Sequence, residues 1–151
     1  MTAAQKVQDT CPLTIQEVSR LSGLSEPTLR YYEKIGLIDP VDRDESSGHR
    51  RYSAAVVDRI EALSCLRGAG VSVQDMRAYL RHLAVGHREA AQMRDLFQRN
   101  AERAAEEMER MRARLHYLRL KAELWDARER GDAETEHRVI AEIIPVVREL
   151  R

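Results

Sequence analysis

The sequence predicts a mainly α-helical chain with a small N-terminal domain, a long helix and a short last helix. Three observations predict this fold class. Helix-capping residues precede four short amphipathic stretches in residues 13–86, and apolar residues then recur at helical spacing, without proline or glycine, from His87 to Arg130. Charged residues make up 33% of the chain and aromatic residues 5%, a balance typical of long helices exposed to solvent.

Composition argues against several classes of protein. Basic and acidic side chains number 25 each among 151 residues, so no overall positive field marks a nucleic-acid-binding protein, and such a function must rest on local motifs. Cys11 and Cys65 are too few for a disulfide scaffold, which predicts a reducing, cytoplasmic location. No apolar run approaches the roughly 18 residues of a membrane helix. No nucleophile–base pairing, phosphate loop or metal-ligand spacing indicates an enzyme, a metal or a cofactor.

The N-terminal domain opens with two short predicted helices. Residues 1–12 have no periodicity and predict a flexible tail. Thr14 then begins a capping box, T-x-x-E, and Gly23 ends the first helix. Ser25 caps the second helix, and Gly36 suits the left-handed position that follows a helix. Two short helices joined by a tight turn are a helix-turn-helix pattern, with a helical hairpin inside a core as the plainer alternative.

A turn-rich segment follows, and it predicts a small β-hairpin. Extended residues 37–39 and 49–52 flank a tip at residues 45–48, and such a hairpin beside a helix-turn-helix would be a wing. The predicted strands carry a cluster of cationic side chains suited to phosphates: Arg43, His49, Arg50 and Arg51. Acidic residues lie in the same loop, so a solvated charged turn is the alternative.

Two more helices complete this domain. Ser53 and Ser72 are capping residues, and Gly86 ends the second of the two. Ala62, Cys65 and Ala69 form a stripe of small side chains on the first of the two helices, which suits close packing.

The long helix carries a heptad seam and predicts dimerisation. The seam residues follow one another at gaps of four and three: Phe97, Ala101, Ala104, Met108, Met111, Leu115, Leu118, Ala122 and Trp125. The helix would be roughly 65 Å long, and it cannot bury such a seam alone. We therefore expect a coiled-coil homodimer; a helix packed on its own domain is the alternative.

The last segment predicts a short C-terminal helix. Gly131 stops the long helix, and Asp132 caps the next one. Pro145 lies inside the apolar pattern and predicts a kink or break. We expect this helix to pack against the dimer.

The second helix of the helix-turn-helix presents side chains suited to DNA. Its exposed face would carry Thr28, Arg30, Tyr31 and Lys34. An arginine can contact a guanine edge through two donors, and threonine and tyrosine hydroxyls reach phosphates or bases.

Taken together, these segments resemble the MerR family of bacterial transcription regulators. The resemblance rests on TLRYYEKIGLI at residues 28–38, GHRRY at residues 48–52, CLRGAGVSVQDM at residues 65–76 and the long coiled coil that follows. It is close from residue 13 to about residue 86, whereas the coiled coil matches in kind rather than in sequence.

The resemblance implies a winged helix-turn-helix DNA-binding domain followed by a long antiparallel coiled-coil dimerisation helix. Such dimers bind an inverted repeat in an over-long promoter spacer of double-stranded DNA and distort it so that RNA polymerase reads both promoter elements. With the exposed residues above, the implied DNA-facing set is Thr14, Thr28, Arg30, Tyr31, Tyr32, Lys34, Arg43, His49, Arg50, Arg51, Tyr52 and Arg67. We expect Tyr32 to lie partly in the core.

The signal to which such a regulator responds is less clearly marked. Metal-sensing members carry cysteines near and after the long helix, but residues 87–151 contain none, so we expect no thiolate metal site. Cys65 resembles the single thiol of the branch that responds to aldehydes, electrophiles or oxidants, with Arg59 and Arg67 near in sequence. A packing role within the small-residue stripe is the alternative, and Cys11 is expected to be incidental.

The expected domains are a tail at 1–12, a DNA-binding domain at 13–86, a dimerisation helix at 87–130 and a C-terminal helix at 131–151. The competing interpretation is a coiled-coil adaptor or architectural DNA-binding protein that does not distort promoters. The preferred spacer length distinguishes the two.

Overall fold

The computed structural model describes residues 12–151, which divide into two compact units at the bond between Phe97 and Gln98. Most of the predicted tail, with Cys11, lies outside the described residues. The elements are α1 (Ile15–Ser22), α2 (Glu26–Lys34), β1 (Asp42–Arg43), β2 (Arg50–Arg51), α3 (Ala54–Gly68), α4 (Val73–Val85), a 3₁₀ turn (His87–Glu89), α5 (Ala90–Arg130) and α6 (Ala133–Glu149). Among the described helices, none is long and apolar enough to cross a membrane.

Side-chain caps begin the helices of the first unit where the sequence predicts them. The Thr14 amide donates to Glu17 Oε2 at 2.8 Å, and the Glu17 amide donates back to the Thr14 hydroxyl at 3.3 Å. The Thr14 hydroxyl also donates to Glu17 Oε2 at 3.0 Å. The hydrogen bonds from the Thr14 amide and then from the Thr14 hydroxyl hold the pKa of the Glu17 carboxyl below its usual value. Ser25, Ser53 and Ser72 likewise accept hydrogen bonds from the third backbone amide of α2, α3 and α4.

The turn between α1 and α2 depends on a left-handed glycine. Gly23 has φ of 74°, a conformation that is costly for other residues, and its amide donates to the Ser19 carbonyl at 3.0 Å. The Ser19 hydroxyl donates to the Leu24 carbonyl at 2.6 Å, and Leu24 is buried. The predicted helix-turn-helix is therefore present.

The hairpin is shorter than the sequence predicts. β1 and β2 pair antiparallel, with Asp42 opposite Arg51 and Arg43 opposite Arg50. Residues 37–39 do not form a strand, so that part of the prediction was wrong. Leu37 and Ile38 instead lie fully buried in a bend, where both amides donate to the Tyr32 carbonyl at 2.9 and 3.2 Å. Burial of two apolar side chains beneath the end of α2 outweighs strand pairing there.

The first unit has one apolar core to which α1–α4 and the root of the wing all contribute. Its fully buried members include Val18 on α1, Leu29 on α2, and Ile60 and Leu63 on α3, with Met76 added from α4. α2 is thus held by its inner face, and its outer face stays free for contact.

The second unit buries one face of α5 against α6. Leu120 and Leu124 on α5 pack with Val139 and Val146 on α6. The last helix therefore packs on its own long helix. Pro145 is exposed and α6 continues through it. Of the predicted kink or break, the break is therefore wrong, because flanking apolar residues anchor both halves of the helix to the same cluster.

The predicted heptad seam remains largely uncovered within the single chain. Its exposed members include Met111 at 58% and Leu118 at 63% of full exposure, and Ala101, Ala104 and Ala122 are also exposed. Phe97 is 42% exposed and contacts the Tyr79 ring edge-on at 6.1 Å. Self-packing, the alternative to dimerisation, therefore leaves most of the seam in water.

Leu29→Ala should lower the free energy of unfolding by about 2–5 kcal/mol, because it leaves a cavity beneath α2. Leu21→Ala removes the same atoms from a side chain that is 49% exposed and should change stability by roughly 0.5 kcal/mol at most. Urea unfolding followed by circular dichroism measures both. Equal losses of unfolding free energy in the two variants would contradict the burial of the α2 face that carries Leu29.

Candidate nucleic-acid interface

A groove of about 290 Å³ lies between α1, α2 and the wing. The residues that line it come from all three elements: Thr14, Ile15, Gln16, Arg30, Arg43, Gly48, His49, Arg50 and Arg51. All but Ile15, Gln16 and Gly48 belong to the predicted DNA-facing set. Four arginines thus converge on one concave surface of a chain whose formal net charge is zero. A concave cationic surface of this kind suits a phosphate backbone.

Arg30 reaches the groove from the outer face of α2. Its Nη2 lies 3.3 Å from Glu26 Oε2, one turn earlier on the helix. The pair is largely exposed, and exposed ion pairs contribute little net stability, so Arg30 is available to another acceptor. Tyr31 and Lys34 are exposed on the same helix, as predicted.

Thr28 and Arg67 meet beside the start of α2. Arg67 Nη1 donates to Thr28 Oγ1 at 3.2 Å, and Thr28 Oγ1 lies 2.8 Å from the Ser25 hydroxyl. A second concavity here is lined by the α1–α2 turn together with Ser64 and Arg67 of α3. The arginine and the positive end of the helix dipole favour an anionic group at this point.

Hydrogen bonds and ion pairs hold the wing in place. Arg50 Nε lies 3.2 Å from Glu33 Oε2, which joins β2 to α2, and this pair is mostly shielded from solvent. Arg43 Nη1 donates to the Gly48 carbonyl at 3.1 Å. Arg51 lies 3.7 Å from the Asp44 carboxylate. The wing cations are therefore positioned by neighbours rather than left to move freely.

Asp44 organises the wing tip. Its Oδ1 accepts hydrogen bonds from the Ser46 and Ser47 amides, both at 2.9 Å, and from both serine hydroxyls. These bonds, the Ser46 hydroxyl first, hold the pKa of the Asp44 carboxyl well below its usual range. Acidic residues in this loop favoured a solvated charged turn over a DNA-binding wing. Asp44, one of them, instead stabilises the turn that presents the basic residues.

Two predicted DNA-facing residues lie in the core instead. Tyr32 is 4% exposed and Tyr52 is 1% exposed, and burial raises the pKa of both hydroxyls. Tyr32 lies one turn after Leu29 on the inner face of α2, consistent with its expected partial burial. Tyr52 ends the wing as a backbone partner of Leu13, which turns its ring inward. Its hydroxyl has no hydrogen-bond partner within residues 12–151, and it is too deeply buried to face DNA.

The groove is also lined by residues outside the predicted DNA-facing set. Gln16 and Ile15 lie in the first turn of α1, beside Arg30, and Gly48 forms part of the opposite wall. The capping box at Thr14 could have predicted the positions of Ile15 and Gln16, because it places them at the start of a helix. Gln16 is exposed and carries both a hydrogen-bond donor and an acceptor.

Cys65 lies exposed on α3. Ala69 of the proposed small-residue stripe is exposed as well, so close packing does not account for these residues within one chain. Among residues 12–151, no group of three or more His, Cys, Asp and Glu side chains could hold a metal ion. His82 contacts the Glu89 carboxylate.

Comparison with known proteins places this geometry in context. The model of the MerR HTH family regulatory protein matches residues 13–83. The HTH-type transcriptional regulator HmrR of Rhizobium leguminosarum bv. viciae is 36% identical over 109 residues, which cover 70% of this chain and 83% of HmrR. The regulator AdhR of Bacillus subtilis (strain 168) is 40% identical over 76 residues, 50% of this chain, and the alignment spans only 54% of AdhR.

A solved structure extends the likeness beyond the N-terminal domain. HiNmlR, described as a MerR family regulator lacking the sensor domain and bound to promoter DNA, superposes with a TM-score of 0.66. It is 25% identical, and the alignment covers 82% of this chain and 94% of HiNmlR.

Asp44→Asn should loosen the wing tip, because a neutral amide is a weaker acceptor for the two serine amides. The pKa of Asp44 is lower in the folded protein than in an unfolded chain. The stabilisation of the wing tip by Asp44 is therefore present above the ordinary aspartate pKa and is lost as pH falls through the folded pKa. Amide hydrogen exchange at Ser46 and Ser47 should therefore accelerate several-fold at neutral pH in the variant. In the unsubstituted protein, exchange slower than in an open loop should persist to mildly acidic pH.

Asp42→Asn is the matched control, because Asp42 is exposed on β1 and its substitution changes the charge by the same amount as Asp44→Asn. Equal acceleration in both variants would show that wing charge, rather than the Asp44 turn, governs exchange.

Proposed function

Because this chain belongs to the MerR family of transcription regulators, we propose that it is a dimeric, sequence-specific regulator acting at promoter DNA. The family consists of DNA-binding transcription factors rather than enzymes. In this proposal, the dimer binds an inverted repeat in a promoter spacer and distorts the duplex to control transcription by RNA polymerase. We further propose a cytoplasmic location, consistent with a regulator that reaches chromosomal DNA.

The cationic groove between α2 and the wing carries this proposal. Arg30 approaches it from the helix, while Arg43, Arg50 and Arg51 approach it from the hairpin. The formal net charge of the chain is zero, so attraction to DNA must come from the local concentration of these arginines. Affinity built on a few phosphate contacts is strongly salt-dependent.

The two sides of the groove suit different contacts. α2 exposes Arg30, Tyr31 and Lys34 on one helical face, the arrangement that reads base edges in a major groove. The wing presents arginines from a short hairpin, which suits phosphates flanking that groove. His49, exposed at the wing tip, extends the same surface.

An inverted repeat requires two copies of this surface related by a twofold axis. The uncovered seam of α5 supplies the apolar surface on which a second copy can pack. Two DNA-binding domains fixed to one coiled coil would impose their spacing on the duplex. A spacer of unsuitable length would then have to bend or untwist, and that deformation energy is the proposed control step.

The exposed thiol of Cys65 supports a second element of the proposal, an input signal. Its thiolate would add to the carbonyl carbon of an aldehyde, and the carbonyl oxygen would take up a proton to give a hemithioacetal. Cys65 lies two residues before Arg67, which contacts Thr28 of α2, so modification there would act close to the DNA-binding helix.

Selection of bound fragments from genomic DNA tests the function. We expect an enriched inverted repeat centred in an over-long promoter spacer. An added aldehyde should change the recovered sites or their occupancy, and Cys65→Ser should abolish that change while leaving DNA binding intact. Binding without an enriched repeat would favour the adaptor or architectural alternative, and an unchanged aldehyde response in Cys65→Ser would remove Cys65 as the sensor.

Arg30→Ala should weaken binding to the selected site by about 1–3 kcal/mol if Arg30 contacts a base. Binding to random DNA should weaken less, because base readout contributes little there. Fluorescence anisotropy with both DNAs at fixed salt measures the difference. Arg110→Ala is the matched control, since Arg110 is exposed on α5 and outside the groove. Equal losses on both DNAs would reassign Arg30 to a phosphate contact.

A further inference from the structure

One ion pair links the wing to α2 and is shielded from solvent on both sides. Arg50 Nε donates to Glu33 Oε2 at 3.2 Å, and the two residues are 17 positions apart in the chain. Their side chains are 21% and 20% exposed, whereas those of the Arg30–Glu26 pair are 48% and 34% exposed. Because a shielded pair is screened less by water and salt, it holds its geometry better than an exposed pair.

The alternation of side chains along β2 explains why Arg50 reaches α2. Residues two apart on a strand point to the same face. Arg50 therefore shares a face with Tyr52, whose ring is buried in the core at the foot of the wing. The alternation that buries Tyr52 thus also turns Arg50 toward the helices.

The other two wing arginines have partners within the hairpin. Arg43 Nη1 donates to the Gly48 carbonyl at 3.1 Å, and Arg51 pairs with Asp44. These contacts shape the wing, but they do not set its distance from α2. Among the wing arginines, that distance depends on Arg50.

Arg50 also faces the groove, so it can serve two partners at once. It is one of the residues that line the groove. Its hydrogen bond to Glu33 uses Nε and leaves the N–H donors of the two terminal nitrogens for another acceptor. A phosphate in the groove can take those donors while Glu33 keeps Nε. Arg50 would then join the DNA backbone directly to α2.

Glu33 lies where charge alone predicts a cost for DNA binding. Its carboxylate contacts one of four arginines that line the groove, where it repels an incoming phosphate. Such an acidic residue weakens binding unless its contact with Arg50 contributes more. That contact fixes the wing before DNA arrives, and a wing that is already ordered loses less entropy on binding.

We propose that Glu33 is a positioning residue for DNA recognition, an inference that rests on the proposed function. Glu33 lies outside the predicted DNA-facing set, and it acts through Arg50 rather than by touching DNA. The pair fixes the wing at one distance from α2. Helix and wing then meet a base edge and the flanking phosphate at the same time.

Substitution of Glu33 by glutamine separates positioning from charge, because the two predict opposite signs. Glu33→Gln removes a negative charge beside the groove, so charge alone predicts tighter binding. A neutral amide is a weaker acceptor for Arg50, so we expect several-fold weaker binding to the selected site. Fluorescence anisotropy at fixed salt measures the change. Binding as tight as that of the unsubstituted protein, or tighter, would overturn the proposal.

Glu26→Gln is the matched control. Glu26 lies on the same helix, and its substitution changes the charge by the same amount, but its pair with Arg30 is exposed. We expect unchanged or slightly tighter binding, because an exposed pair contributes little to geometry. Binding is compared at a temperature at which circular dichroism shows both variants to be folded. Equal weakening in the two variants would overturn the specific role of Glu33.

A double-mutant cycle tests whether Glu33 acts through Arg50. Arg50→Gln should weaken binding and reduce the slope of log K against log salt concentration by about 1, because one phosphate contact is lost. Glu33→Gln should leave that slope unchanged. Adding Glu33→Gln to Arg50→Gln should cause no further loss, since the side chain through which Glu33 acts is already absent. Additive losses, or an unchanged slope in Arg50→Gln, would overturn the proposal.

Amide hydrogen exchange without DNA separates this inference from the proposed function. The Asp44 amide donates to the His49 carbonyl at 2.8 Å across the hairpin. Its exchange should be several-fold faster in Glu33→Gln and unchanged in Glu26→Gln. Unchanged exchange in Glu33→Gln would refute the positioning role, even in a protein that selects an inverted repeat. If the unsubstituted protein selects no DNA site, the proposed function is refuted, and exchange still shows whether Glu33 fixes the wing.

Discussion

Attachment of the wing to α2 is the constraint on which the groove depends. Tyr52 pairs with Leu13 through two backbone hydrogen bonds of 2.8 and 3.0 Å, and its ring fills the core at the foot of the hairpin. The shielded Arg50–Glu33 pair then joins β2 to α2. A two-stranded hairpin is marginally stable alone, so these contacts with the helical core maintain the wall opposite α2.

Local charge, rather than net charge, distinguishes this surface. Three acidic residues near the groove are engaged: Glu26 with Arg30, Glu33 with Arg50, and Asp44 with the wing tip. They orient the arginines and shape the turn. A phosphate would compete with exposed pairs such as Arg30–Glu26 at small cost, whereas the shielded Arg50–Glu33 pair mainly fixes geometry. A chain of balanced charge can therefore present one cationic face.

The long helix has two apolar faces on opposite sides, one packed within the chain and one proposed to form the dimer. One face in its second half contributes to the cluster with α6, and the opposite face carries the proposed dimer seam. Intrachain packing and dimerisation therefore do not compete for the same side chains.

Local patterns in the sequence determined the helix starts, the left-handed turn at Gly23 and the existence of a hairpin, because caps and turns depend on residues only a few positions apart. They also identified most side chains that line the groove. Only the tertiary structure decided that Tyr52 fills the core, that Leu37 and Ile38 form a buried bend, and that α6 continues through Pro145. Each of these outcomes depends on apolar burial against residues distant in the chain, and that burial outweighs local preference.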